Sequence, residues 1–438
     1  MKRLVYLLVS LLAVALIAGC KPKIVAVEIT VQLMSDNAPL AVEGIPVTLA
    51  DAGGATTFSG VSDAAGAVKF TVNPGSYVAS ATFKALEDGK RIVYNGSNPS
   101  ILVAEAPTAS FKLELSRVVS QQLIIKELYN GGCPKDDNSG AYSDDMYIIV
   151  YNNSEFEADA SDLVFGNLNP YNGQATNKFY ADNQLIYETA GWVPAGGAAW
   201  YFKTPVTIPA FSQIVLAVFG AIDHTKTVKA SVNLANADYY WMSNSEIPAF
   251  TMKKYAVDEV IPASHYLSGY QINKGTAWSL SNQSPALYMA KMPKAQLEQL
   301  CKDTEKFDLT GGTNDIGWVV KFPQSNVIGA LEVFNAAAIE TSHFRFPASL
   351  NTGYIALTNQ KGYSIYRNVD KEATEALPEN EGKLVYNYAG GTQDLGGSTD
   401  PSGIDAEASI AAGAHIIYLQ TNDSGKDFHM RKTASLKK

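Results

Sequence analysis

Val25-Ala26-Val27-Glu28-Ile29-Thr30-Val31-Gln32-Leu33 places an aliphatic side chain at every odd position and a small or polar one at every even position. Side chains alternate across a strand, so this two-residue period predicts a strand with one face in a core and the other in water. Similar runs follow at short intervals: Val47-Thr48-Leu49, Thr56-Thr57-Phe58, Ala67-Val68-Lys69-Phe70 and Tyr77-Val78-Ala79-Ser80-Ala81. Between them lie Asp51-Ala52-Gly53-Gly54, Asp63-Ala64-Ala65-Gly66 and Asn73-Pro74-Gly75, residues that suit tight turns. Short strands punctuated in this way predict an antiparallel β-sandwich.

The stretches Gly44-Ile45-Pro46-Val47-Thr48-Leu49, Ser62 to Phe70 and Pro74-Gly75-Ser76-Tyr77-Val78 resemble the prealbumin-like domains found as carboxypeptidase-regulatory-like modules in bacterial surface proteins. The likeness runs over residues 24–117, and the module is assigned residues 20–117. It implies a binding module or a spacer that lifts the main body off a membrane. The loops carry no charged or aromatic constellation, which favours the spacer.

A second region opens with Leu123-Ile124-Ile125-Lys126-Glu127-Leu128-Tyr129, enters a polar loop from Asn130 to Ser143, and resumes at Asp145-Met146-Tyr147-Ile148-Ile149-Val150-Tyr151-Asn152-Asn153-Ser154. This strand, loop and Asn-ended strand resemble the opening of lamin-tail-like immunoglobulin-type domains, assigned here to residues 118–225. Residues 226–438 continue with strand-like runs at Gly317 to Phe322, Gly353 to Leu357, Gly362 to Tyr366 and His415 to Leu419, and are expected to complete the body. One helix is expected at Lys294 to Lys302, with Pro293 at its start and Leu297, Leu300 and Cys301 on one face. Tyr388 to Ile404, rich in Gly, Ser, Thr and Asp, reads as a long loop. The expected fold is all-β: a prealbumin-like sandwich, then a larger immunoglobulin-like, lamin-tail-like sandwich body with one short helix.

The N-terminus assigns the compartment. Lys2-Arg3 precedes the apolar run Leu4 to Ile17, followed by Ile17-Ala18-Gly19-Cys20. A basic start, a short apolar stretch and small residues before a cut describe a secretory signal over residues 1–19, and the apolar run is too short to span a bilayer. The last four residues resemble the lipobox of bacterial lipoproteins, which implies cleavage before Cys20 and acylation of that cysteine. Multiple acyl chains would anchor the protein stably on a membrane face. Lys21-Pro22-Lys23 lacks the acidic cluster that resembles a surface-export signal of Bacteroidetes lipoproteins, so cell surface and periplasmic face both stay open. In an oxidising compartment Cys133 and Cys301 are permitted one disulfide; the alternative is two buried free thiols.

The formal net charge is −9, and loss of Lys2 and Arg3 would take it to −11. Such a chain repels phosphate backbones, and no Lys/Arg stripe offsets this, which argues against nucleic-acid binding. Catalytic motifs are missing: there is no His-Glu-x-x-His, no phosphate-cradling loop and no Gly-x-Ser-x-Gly elbow. A carboxylate pair of the glycosidase kind would leave no local motif among 43 acids, so hydrolysis survives only in that form.

Three clusters are candidate sites. Asp136, Asp137, Asp144 and Asp145, with Asn138 and Ser139 between them, bring oxygen ligands close enough for Ca²⁺, although the EF-hand order fails and a solvated loop is the simpler account. Tyr239-Tyr240-Trp241 lies near Tyr255, His265, Tyr266 and Tyr270; exposed aromatics of this kind hold sugars, haem or siderophores, whereas buried ones pack in sheets. His429-Met430 and His343 are residue types that ligate haem iron, and more often pack. Beyond the possible calcium, no cofactor is expected.

Lipobox, prealbumin-like module and body together resemble an uncharacterised family of Bacteroidales outer-membrane lipoproteins, a domain of unknown function whose members often accompany TonB-dependent transporters. The resemblance implies a setting and carries no catalytic residue. It implies a non-enzymatic lipoprotein held in outer-membrane lipid through Cys20, capturing a small ligand, glycan or haem beside a TonB-dependent barrel. Candidate holding loops are Tyr239 to Trp241 and the stretch near Gly396. The alternative is a structural or adhesive surface protein that presents a β-sandwich to host or neighbouring cells.

Overall fold

The computed structural model describes residues 25–51, 56–105, 109–181, 184–303, 307–309 and 317–437. The signal segment, the lipobox and Cys20 lie outside the described residues. The chain divides into two compact units, Met1–Ser120 and Gln121–Lys438.

In the first unit the alternating segment forms the strand Val27–Ser35, and Ile29, Val31 and Leu33 are buried as the pattern requires. Val27–Ser35 pairs antiparallel with Ala67–Val72 and Ala38–Pro39. Its partner Ala109–Glu114 runs parallel, with Ile29 opposite Ala109, which departs from the purely antiparallel expectation. A second sheet has the order Thr57–Val61, Pro46–Asp51, Gly75–Glu87, Lys90–Val103, Ser116–Gln121. Val47, Leu49, Tyr77 and Ala79 of that sheet share one core cluster with Ile29 and Val31 of the first. Each fully buried aliphatic side chain here contributes roughly 1.5–3 kcal/mol.

In the second unit one sheet runs in the order Ile355–Leu357, Val327–Asn335, Ala286–Lys291, Leu163–Leu168, Trp192–Tyr201, Tyr266–Gln271, Tyr240–Met242, Gln213–Ala217, Tyr147–Asn152, Leu123–Tyr129, Ser364–Arg367, Phe428–Arg431. Trp318–Pro323 pairs with Trp192–Tyr201 off this path. Strands from either side of residue 225 interleave, so residues 118–225 and 226–438 build a single body. Ile125, Trp200, Leu216, Met289, Val333 and Met430, drawn from along the whole path, meet in one core, so the sheet curls around it. The path's two ends approach each other: the Thr358 amide donates to Met430 Sδ at 3.3 Å.

The outer faces are covered as well. Val164, Val193 and Val320 pack in a second cluster, Tyr147, Val215 and Trp241 in another, and Ile124, Tyr366 and Tyr418 in a further one. Strands covered on both faces are mostly apolar, and Leu123–Tyr129 and Tyr147–Asn152 are buried at every position. The polar side chains in these runs carry internal partners: Lys126 Nζ lies 2.8 Å from a Glu407 carboxylate oxygen and donates to Gln213 Oε1 at 2.7 Å.

The expected helix forms at Lys294–Lys302, with Leu297 buried and Leu300 and Cys301 packed against the second cluster. Cys133 and Cys301 are free thiols. Among the described residues three shorter α-helices join it, Lys371–Glu375, Ala406–Ala411 and Ser424–Asp427, each capped by an Asp side chain that accepts a backbone N–H. His415 to Leu419 is not a strand. It makes one isolated bridge, Tyr418 to Val369, and side chains occupy other groups: Thr374 Oγ1 bonds both the N–H and C=O of Ile417, and Asn153 bonds both of Tyr418.

Candidate functional site

Gln213–Ala217 and Tyr240–Met242 pair in parallel, with Leu216 opposite Tyr240. Parallel neighbours cannot be joined by a tight turn, so residues 218–239 form a long crossover on one face of the sheet. Hydrogen bonds from three directions fix it. The Lys229 amide donates to Asp136 Oδ1 at 3.0 Å, Ser231 Oγ donates to Asp145 Oδ2 at 2.5 Å, and Lys437 Nζ donates to the Ala230 carbonyl at 3.0 Å. Inside it, Asn233 and Asn236 accept the amides two residues on, from Ala235 and Asp238. Val232 and Leu234 bury against Ile149 and Val215.

The crossover and the chain near Leu436 enclose a cavity of about 300 Å³, whose walls include Lys229, Ser231, Asn233, Asn236, Tyr239 and Lys437. Ser231 lines the cavity but is almost fully buried, its hydroxyl turned to Asp145. Beneath it Asp145 is wholly buried, with Tyr129 Oη donating to Oδ2 at 3.3 Å and Cys133 Sγ 3.8 Å away, while Oδ1 has no hydrogen-bond partner. Burial holds the Asp145 carboxyl above the usual carboxylate range, against the lowering effects of the Ser231 hydrogen bond and of His224. Burial likewise pushes the Cys133 thiol up to about 11, which keeps it protonated and unreactive. His224 uses both ring nitrogens, Nδ1 on Tyr142 Oη at 2.6 Å and Nε2 on the Gly220 carbonyl at 2.9 Å.

The structure splits the aromatic run. Successive strand residues point to opposite faces, so Tyr240 packs toward the central core while Trp241 turns into the cluster beneath the crossover. Tyr240 stacks on His265 at 4.3 Å, and Trp241 Nε1 donates to the Phe219 carbonyl at 2.7 Å. Of the three, Tyr239 alone lines the cavity.

The four acids do not assemble a calcium loop. Asp136 is taken by the Lys229 amide, Asp137 by the Ser139 amide at 2.9 Å, Asp144 pairs with Lys254 at 2.7 Å, and Asp145 is sealed in the core rather than solvated. Among the described residues no three His, Cys, Asp or Glu side chains gather closely enough to hold a metal ion. The haem-ligand types are also committed elsewhere. His429 bonds Asn368 and Tyr388, Met430 Sδ accepts the Thr358 amide, and His343 stacks on Tyr180 at 4.3 Å.

Tyr388 to Ile404 is a long loop with a firm base. Asp400 accepts the Val369 amide at 2.9 Å, Thr392 bridges Ser398, and the exposed Leu395 beside Gly396 sits at the tip. A second, more open hollow of about 500 Å³ lies over Leu377 and Leu384, rimmed by Glu375 and Glu381, and includes none of the residues picked out in the sequence. Lys229, Ser231 and Asn233 were missed by sequence reasoning; the two Asx turns marked a loop there, and nothing local announced the parallel pairing that shapes it.

A family model described as a protein of unknown function, DUF4876, matches residues 212–435, which contain nearly all of the crossover site. A solved DUF4876 family protein from Bacteroides thetaiotaomicron is 16% identical, with 92% of this chain and 94% of that chain covered and a TM-score of 0.58, a likeness of fold. A DUF3823 family protein from Parabacteroides merdae matches at 11% identity over 38% of this chain and 73% of that one, with a TM-score of 0.17. The minor pilin GBS52 of Streptococcus agalactiae matches at 13% identity over 22% of this chain and 46% of that one, with a TM-score of 0.18. No curated protein matches the chain.

Proposed function

The chain belongs to the DUF4876 family of proteins of unknown function, and from that premise we propose that it is a non-enzymatic, lipid-anchored outer-membrane protein that captures a small ligand beside a TonB-dependent transporter. The observation that carries this reading is the crossover cavity: a preformed hollow of about 300 Å³, polar-walled and braced on a closed β body. Binding sites are characteristically preformed, because a braced wall avoids the entropy cost of ordering it around the ligand. The Ile17-Ala18-Gly19-Cys20 lipobox supports the anchor, and the outer-membrane setting follows from the family resemblance read in the sequence. Anchoring confines the protein to the membrane plane and raises its effective concentration at a barrel without any new contact.

Two features favour capture over turnover. His224 and His429, both buried, spend both ring nitrogens on internal partners, so neither is free to act as a general base. The acid nearest the cavity floor, Asp145, lies behind the Ser231 hydroxyl rather than facing the hollow.

The test is a gentle-detergent pulldown of tagged protein from its native membrane, with mass spectrometry of co-purifying proteins and small molecules. A stoichiometric outer-membrane barrel and a retained small molecule are expected. A clean monomer carrying neither overturns the reading and leaves a spacer-borne surface protein as the better account. Metabolic labelling with a fatty acid tests the anchor: label should enter the parent chain and vanish in Cys20→Ser.

A further inference from the structure

The crossover cavity has a charge pattern opposite to that of the whole chain. The protein carries a formal net charge of −9, yet the charged residues in this cavity's wall, Lys229 and Lys437, are both cations. Three acids near the crossover hold hydrogen bonds within the protein. Asp136 is occupied by the Lys229 amide, Asp223 by the amide and hydroxyl of Thr225, and Asp145 is closed off beneath Ser231. Burial first, and the exposed Asp238 beside it second, push ionisation of the Tyr239 phenol up, so Tyr239 presents a neutral hydroxyl and an aromatic face. Among the described residues that line this hollow, the charged groups a solvated anion meets are two ammonium groups.

The remaining walls suit hydroxyl groups. Asn233 gives its carbonyl oxygen to the Ala235 amide and keeps its NH₂ as donor, beside the hydroxyls of Thr225 and Tyr239. An aromatic ring beside such groups packs on the C–H face of a pyranose while the amide and hydroxyl groups meet its edge. The volume, about 300 Å³, lies at the small end of ligand pockets.

We infer that this cavity binds an acidic monosaccharide, with the sugar ring against Tyr239 and the carboxylate drawn to Lys229 and Lys437. The inference rests on the capture role proposed above and names the chemistry of its ligand.

Calorimetric titration of the mature protein tests it with D-glucuronate, D-galacturonate and N-acetylneuraminate as probes, and D-glucose and D-galactose as neutral counterparts. At least one acidic sugar is expected to bind, at least about tenfold more tightly than the neutral sugars, since a charge-assisted hydrogen bond is worth about a factor of ten or more. The double variant Lys229→Ala, Lys437→Ala should lose that preference. Lys437→Ala also removes the bond to the Ala230 carbonyl, so the single variant Lys229→Ala, at an exposed side chain, separates lost binding from lost folding: its melting temperature should stay at the parent value while the preference weakens. Equal binding of neutral and acidic sugars, no binding of any acidic probe at millimolar concentration, or binding that the double variant leaves intact each overturns the inference. None of these results decides the capture role, which stands or falls on the membrane pulldown.

Discussion

His429 is nearly fully buried, with Nδ1 2.7 Å from Asn368 Oδ1 and Nε2 2.8 Å from Tyr388 Oη. Burial first, and the Arg431 guanidinium second, hold its pKa down to about 3 from an ordinary value of 6.5. The unfolded chain therefore takes up a proton that the folded chain refuses, so stability falls as pH drops from about 6.5 toward about 3. Denaturant unfolding of wild type should show that loss, and His429→Gln, which keeps polar contacts without titrating, should flatten it; an unchanged slope would assign the acid sensitivity elsewhere. Asp145 works with the opposite sign. Its carboxyl is raised, so its favourable contribution is complete below the unfolded value near 3.9 and declines as pH rises through the folded one. Asp145→Asn keeps an oxygen for the Ser231 hydroxyl and removes the buried charge. Its melting temperature should match or exceed wild type at pH 8, and a clear drop there would mean that the anion itself stabilises the loop.

Elements were readable in the sequence where a local rule sufficed. In the turn after Asp63, Asp63 Oδ1 accepts the amides of Ala65 and Ala67, and Gly66 adopts φ +74°, a conformation that suits glycine. A Cβ on Gly66 would stand 1.8 Å from the Leu40 carbonyl oxygen. Gly66→Ala should therefore destabilise the N-terminal sandwich by at least about 1–3 kcal/mol, measured as a shift in its urea midpoint. The helix at Lys294–Lys302 was readable because nine residues contain two and a half turns of pattern, whereas helices of four to six residues do not repeat a period. His415 to Leu419 has strand composition but makes only an isolated bridge, Tyr418 to Val369, because competing bonds come from Thr374, Asn380 and Asn153, distant in sequence. The site was the least readable part. Tyr239 stood out as an aromatic, but its separation from Tyr240 and Trp241 follows from strand alternation, and the walls around it follow from a parallel pairing that is non-local.

At the scale of the whole molecule, two compact units imply two cores that answer separately to damage. The body contains a test of this in Arg345 and Glu332, both fully buried. Arg345 Nε and Nη2 donate to Glu332 Oε1 at 2.8 and 2.5 Å, and Nη1 donates to the Ser284 and Pro170 carbonyls at 2.8 and 3.1 Å. Glu332 Oε2 accepts the amides of Arg345 and Phe346, so the pair ties the Val327–Asn335 strand to chain on three sides. Replacing such a pair by apolar groups can be neutral, but removing one partner strands a charge out of water, at a cost of about 3–5 kcal/mol. Glu332→Gln should therefore lower a calorimetric transition belonging to the body and leave that of the N-terminal sandwich in place, with Gly66→Ala doing the reverse. A single transition that either substitution shifts as a whole would mean that the two cores unfold as one cooperative unit, and the division into spacer and binding body would then lack a thermodynamic counterpart.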